Sequence, residues 1–250
     1  MAPRLSTLRR EGMALVALVA LTAVGCNREQ SGPPIPRRDR PEKVAAPAPA
    51  QGSVLVKVVL DGAVPKGARS SGPCALPPPT PGAQGELSGV AVWTDLAASA
   101  PRPGAGAVEL GACALEPSLM VLPPGSAIAV TNPSTGEREV RLSLIGAAPD
   151  APPFASRSLK AGAVAGLKAP AQGRADLSCT GEPCEGALVV AAIGGLTDRA
   201  GAATLRGVKP GSAVVHAWHP ALGETEASVE VVAGAVAELT LHLKAASVAP

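Results

Sequence analysis

Short runs of apolar residues, many alternating with polar ones and divided by Gly, Pro and Asp, recur from residue 53 to the C-terminus: SVLVKVVL, GVAVW, AIAVTN, EVRLSLI, GALVVAA, AVVHAW, TEASVEVV and VAELTLHL. In VLVKVV, EVRLSL, SVEV and ELTLHL the period is two, which turns one face of a strand to a core and the other to water. No stretch sustains a helical period. The pattern predicts an all-β chain of short strands with turn signals between them, the signature of a β-sandwich. Pro-rich loops at CALPPPTPGAQG, PRPGAG and PDAPP interrupt it.

Before residue 53 the pattern is different. Arg4, Arg9 and Arg10 precede an apolar run from Met13 to Val24, which is shorter than the roughly 20 residues a membrane-spanning helix needs. A charged start, a short apolar stretch and small residues before a cysteine mark a cleaved export signal over 1–25. Ala23-Val24-Gly25-Cys26 resembles the bacterial lipobox, which makes Cys26 a lipidated first residue; the alternative is an ordinary signal peptide with Cys26 incidental. Residues 26–52 then form a Pro- and Ala-rich tether without apolar periodicity. Its Arg37-Arg38-Asp39-Arg40 cluster reads either as a contact for acidic lipid headgroups or as a solvated linker.

Charge and aromatic content remove whole classes of function. The chain has 22 basic and 20 acidic residues; with Arg4, Arg9, Arg10 and Glu11 lost in the leader, the mature protein is close to neutral. There is no Tyr, and Trp93, Trp218 and Phe154 are the only aromatics. Neither a basic stripe nor a row of stacking rings is present, so nucleic acid is not expected as a partner. The same shortage weakens a sugar-binding reading.

Several segments fall in a familiar order: GSVLVKVVLDGAVP, GVAVW, GACALEP, VLPPGSAIAVTN, SCTGEPC and GLTDRAGAATLRGVKPGSAVVHAWHPALG. In this order the chain resembles the bacterial plastocyanin-like exported proteins, which join a cupredoxin fold to a carboxypeptidase-regulatory, transthyretin-like sandwich. The resemblance implies a cupredoxin-like Greek-key sandwich over 53–192 and a small transthyretin-like β-sandwich over 193–245. About five strands follow Ile193, fewer than the roughly seven a small sandwich uses, so strands from 53–95 are candidates to complete the second unit. In that unit Gly201 and Gly211 permit turns, Pro210 presets one, and Trp218 is expected to anchor a thin core.

The family holds copper through a histidine after the Asn that Asn132 resembles, and through a loop of Cys, two residues, His-Pro, one residue and Met. Here Arg138 stands at the first histidine position, Glu182 at the second and Glu185 at the methionine position, while Cys179 and Pro183 match. A blue-copper site needs two imidazoles and a thiolate, often with a weak axial Met. No histidine lies between Cys26 and His216, and Met120 is the only methionine after the leader. Only His216 or His219, reaching in from the second sandwich, offers Cys179 an imidazole. No metal and no cofactor is expected.

Cys179 and Cys184 offer three readings: metal ligands, a redox pair or a staple. An export signal places the chain in an oxidising compartment, and after Cys26 an even set remains: Cys74, Cys113, Cys179 and Cys184. Three pairings are possible. Cys179 with Cys184 closes the shortest loop and leaves Cys74 with Cys113. Zinc would require further ligands, and no histidine lies nearby; thiol redox chemistry favours a two-residue spacing at a helix start.

No catalytic constellation is visible in the sequence: neither a nucleophile elbow nor a phosphate-binding glycine loop is present. The chain reads as a non-enzymatic, lipid-anchored envelope protein with degenerate copper positions and a structural or binding role. Asn27, where an aspartate would favour inner-membrane retention, points to the outer membrane facing the periplasm. The alternatives are an electron-transfer cupredoxin with an atypical site, and a module docking a peptide or glycan on a sheet edge.

Overall fold

The computed structural model describes residues 50–63, 79–148, 150–180 and 184–244. The leader, the tether, Cys26, Cys74 and Glu182 lie outside the described residues. The described chain is all β, with 15 strands and no helix.

Eight consecutive strands make the larger sandwich: β3 (Ala105–Leu110), β4 (Ala114–Leu122), β5 (Ala127–Thr131), β6 (Arg138–Leu144), β7 (Ala155–Leu159), β8 (Val164–Lys168), β9 (Gly173–Thr180) and β10 (Glu185–Val190), in the spatial order β7-β6-β9-β10-β4-β3-β5-β8. β4 belongs to both halves. Its first part pairs with β3, Leu115 opposite Leu110, and its second part runs parallel to β10, Leu119 opposite Ala187. Pro117 falls between the two ladders, where its missing N–H costs no ladder bond. Alternate side chains from both halves, among them Val108, Leu110, Ile128, Val140, Leu142, Leu177 and Leu188, fill the interior.

The remaining strands make a smaller sandwich that brackets the larger one in sequence. β1 (Gly52–Asp61) lies between β12 (Ala202–Val208) and β15 (Val236–Lys244) in one sheet. β11 (Ile193–Leu196), β2 (Ala91–Thr94), β13 (Gly211–His219) and β14 (Gly223–Val231) form the other, in that order. Leu55 of β1 sits opposite Thr204 on one side and Glu238 on the other. Sheet membership thus cuts across the 53–192 range: its first two strands belong with the C-terminal ones, and residues 105–190 are an insertion between them. Val54, Val56 and Val58 of β1 are fully buried against Val92, Val215, Leu241 and Leu243, each such side chain contributing about 1.5–3 kcal/mol by burial.

The TDRAG segment works as a polar pin. Buried Thr197 donates its hydroxyl to Leu87 O at 2.6 Å and accepts Val90 N–H at 3.0 Å. Asp198 Oδ1 accepts from Ala200 N at 2.8 Å and Ala202 N at 3.0 Å. Gly201 then turns with φ +68°, where a Cβ would stand 2.8 Å from Val58 O, so only glycine fits.

Candidate functional site

At one end of the larger sandwich the last residues of β3 and β9 meet the first residues of β6 and β10. Arg138 opens β6 with its side chain turned inward, and it is 3% exposed. Its Nη1 donates to Leu110 O at 3.0 Å and to Gly111 O at 2.8 Å. β3 ends there, so those carbonyls need donors other than a ladder, and a guanidinium stays charged while supplying them. Nearby, Asn132 is fully buried: its Nδ2 donates to Gly136 O, Leu159 O and Lys160 O at 2.9, 3.0 and 3.2 Å, and its Oδ1 accepts from Ser134. That side chain ties together the turns flanking β6 and β7.

Cys179 faces Val140 across the β6–β9 ladder, two residues along from Arg138. Its sulfur is bonded to Cys184, with the Cα atoms 5.1 Å apart, and its N–H donates to Cys184 O at 3.1 Å. The pair closes the β9–β10 hairpin as a staple, and Cys184 is buried with the sandwich interior. Cys113, in the β3–β4 turn, is also disulfide-bonded. Glu185 stands at the methionine position of the resemblance. It is already the first residue of β10, so strand alternation sends it to the face of Ala187 and Val189, away from Cys184, Leu188 and the interior.

These residues do not fit blue copper. The sulfur of Cys179 is held in a disulfide, Arg138 brings a cation with no lone pair to offer, and Glu185 faces outward. His216 and His219 do not rescue the site. Glu224, 3.5 Å from His216 Nδ1, is held by Arg174 at the start of β9, and Cys179 is five residues farther along that strand, about 17 Å at the usual rise. Among the described residues no three His, Cys, Asp or Glu side chains converge as a metal cluster.

A second site went unseen in the sequence. Both tryptophans lie on the outer face of the four-stranded sheet rather than in the core of the smaller sandwich, which corrects the expectation for Trp218. Trp93, Trp218 and Ala91 pack against Leu119, Ala187, Val189 and Ala191 of the larger sandwich. Trp93 and Trp218 are 8% and 7% exposed. Polar groups rim this seam: Arg174 Nη1 meets Glu224 Oε2 at 2.9 Å and its guanidinium lies 5.2 Å over the Trp218 ring. His216 stacks on Trp93 at 5.0 Å between centroids and 13° between planes, with Nδ1 3.1 Å from Glu226 Oε2. The available signal was GALVVAA, whose lack of alternation marks a strand covered on both faces.

No family model matches the chain, and no curated protein matches it. Among solved structures it is similar to a copper-containing nitrite reductase from Thermus scotoductus, at 16% identity and a TM-score of 0.29 over 36% of this chain and 22% of that one. It is also similar to a purple cupredoxin from Nitrosopumilus maritimus, at 16% identity and a TM-score of 0.29 over 34% of this chain and 99% of the other. An auracyanin from Roseiflexus castenholzii shows 15% identity and a TM-score of 0.29 over 36% of this chain and 98% of its own. The chain spans about a fifth of the reductase's length.

Proposed function

We propose that this chain is a non-enzymatic cell-envelope protein, anchored through lipid on Cys26 and facing the periplasm, whose cupredoxin-like sandwich carries no copper and serves a structural or binding role. One observation carries the reading. The cysteine that aligns with the family's copper thiolate is locked to Cys184, and the first histidine position holds a buried arginine whose charge is met by backbone carbonyls. The uncovered part of the four-stranded sheet's outer face, where Val214 is 43% exposed, supports a binding role.

The test is metal analysis of the mature protein isolated from membranes, combined with peptide mapping without reductant. Copper well below stoichiometric amounts and an intact Cys179–Cys184 peptide are expected. One copper per chain, or a free thiol at Cys179, would overturn the reading. Lipid anchoring is tested separately: Cys26→Ser should leave the membrane fraction.

A further inference from the structure

The outer face of the four-stranded sheet is covered over only part of its length. The larger sandwich lies on Ala91, Trp93 and Trp218, and beyond His216 the face is open. β2 stops at Thr94 and pairs with β13 only over His216–Trp218. Gly211–Val215 of β13 therefore has β14 on one side and, among the described residues, no ladder partner on the other. A notch of about 260 Å³ lies there, lined in part by Asp95, Leu96, Ser212, Val214 and His216. At Asp95 it meets a second cavity of about 300 Å³ that includes Trp93, Gln172 and Arg174.

The chemistry of this surface is mixed. Val214 is 43% exposed at its centre. Asp95, Glu226 and Glu230 are exposed on the same face, and among the described residues neither Asp95 nor Glu230 has an ion-pair partner. Arg174, which lines the adjoining cavity with Asp95, is engaged by Glu224. Free strand edges are ordinarily blunted or covered, and this one is short, recessed and bordered by carboxylates. An anionic lipid surface or a nucleic acid would be repelled by it.

We propose that this half-open face docks an extended, basic segment of a partner protein. Its backbone pairs with the free edge of β13 at Gly211–Val215, an aliphatic side chain rests on Val214, and a Lys or Arg on the alternate positions meets Asp95, with Glu226 and Glu230 beyond. Strand addition draws affinity from main-chain bonds and specificity from alternate side chains. The proposal rests on the binding role proposed above. It lies on the smaller sandwich, so its failure would leave the copper-free reading standing.

The test uses the full mature protein and a fluorescent peptide of alternating Val and Lys, followed by anisotropy, with alternating Val and Glu as control. The basic peptide should bind and the acidic one should not. Amide shifts on titration should centre on Asp95 and Ser212–His216. Asp95→Lys combined with Glu226→Lys should weaken binding by about tenfold or more, while Glu238→Lys, on β15, should leave it unchanged. Absence of binding, equal binding of the two peptides, shifts centred elsewhere, or equal loss with Glu238→Lys would overturn the proposal. So would binding to phosphatidylglycerol vesicles in place of the peptide.

Discussion

Arg174 of β9 and Glu224 of β14 join the two sandwiches: Nη1 and Oε2 are 2.9 Å apart, and the guanidinium rests 5.2 Å over Trp218. Both side chains are about a third exposed, so the ion pair contributes about 0.5–1 kcal/mol and the contact with the indole a similar amount. Arg174→Ala should lower the melting temperature by roughly 2–5 °C for a chain of this size. A double-mutant cycle with Glu224→Gln should return a coupling of at least about 0.5 kcal/mol. Strict additivity would show that the contact does not hold the sandwiches together.

Trp218 tests the seam by packing. Trp218→Ala removes a large side chain from contact with both sandwiches and should cost about 3–5 kcal/mol. Because Trp93 and Trp218 are the only tryptophans and both lie in the seam, indole fluorescence reports on that contact alone. In urea, the fluorescence and circular dichroism transitions of the unaltered protein should coincide. A fluorescence change at clearly lower urea would mean the sandwiches part before they unfold.

His219 gives the fold a defined acid sensitivity. It is 8% exposed at the end of β13, and burial pushes its pKa down to about 4. Its Nδ1 accepts Ala221 N–H at 3.2 Å, so the neutral ring is the one that fits. The unfolded chain takes up a proton near pH 6.5 that the folded chain refuses. The stabilisation is therefore complete above about pH 6.5 and declines as pH falls toward 4, by on the order of 3 kcal/mol in total. Urea midpoints at pH 7 and pH 4.5 should differ more for the unaltered protein than for His219→Gln. Parallel profiles would remove His219 as the cause.

Two glycines separate close approach from backbone preference. Gly201 has φ +68° and a backbone oxygen where a Cβ would go, whereas Gly223 has φ +85° with nothing within 4 Å. Gly223→Ala should cost about 1–2 kcal/mol from the left-handed conformation alone, and Gly201→Ala distinctly more, because Val58 O must also move. Equal losses would contradict the packing around TDRAG.

Much of the fold was legible in local pattern. Two-residue alternation in VLVKVV, EVRLSL and ELTLHL marks β1, β6 and β15, and the shortage of strands after Ile193 pointed to β1 and β2 as partners. ASRSL carries one large apolar residue and VAGLK two at a spacing of three, so β7 and β8 give no two-residue signal. The seam was hidden for another reason: a tryptophan on a strand reads as core, and alternation alone cannot say which of two covered faces it occupies. The resemblance assigns Glu185 to the methionine position, but it carries no information on where β10 begins, and Glu185 is already the first residue of that strand. Arg138 was legible as a position, but its carbonyl partners Leu110, the last residue of β3, and Gly111, just after it, are 28 and 27 residues away, beyond any local pattern.

The most direct measurement is copper titration of the native mature protein followed by visible absorption. A sulfur tied to Cys184 and a guanidinium at the first ligand position leave copper neither thiolate nor imidazole. No intense thiolate-to-copper band should appear, and opening the disulfide with reductant should not create one, since reduction supplies no histidine. A blue or purple protein at one copper per chain, before or after reduction, would contradict the copper-free reading outright.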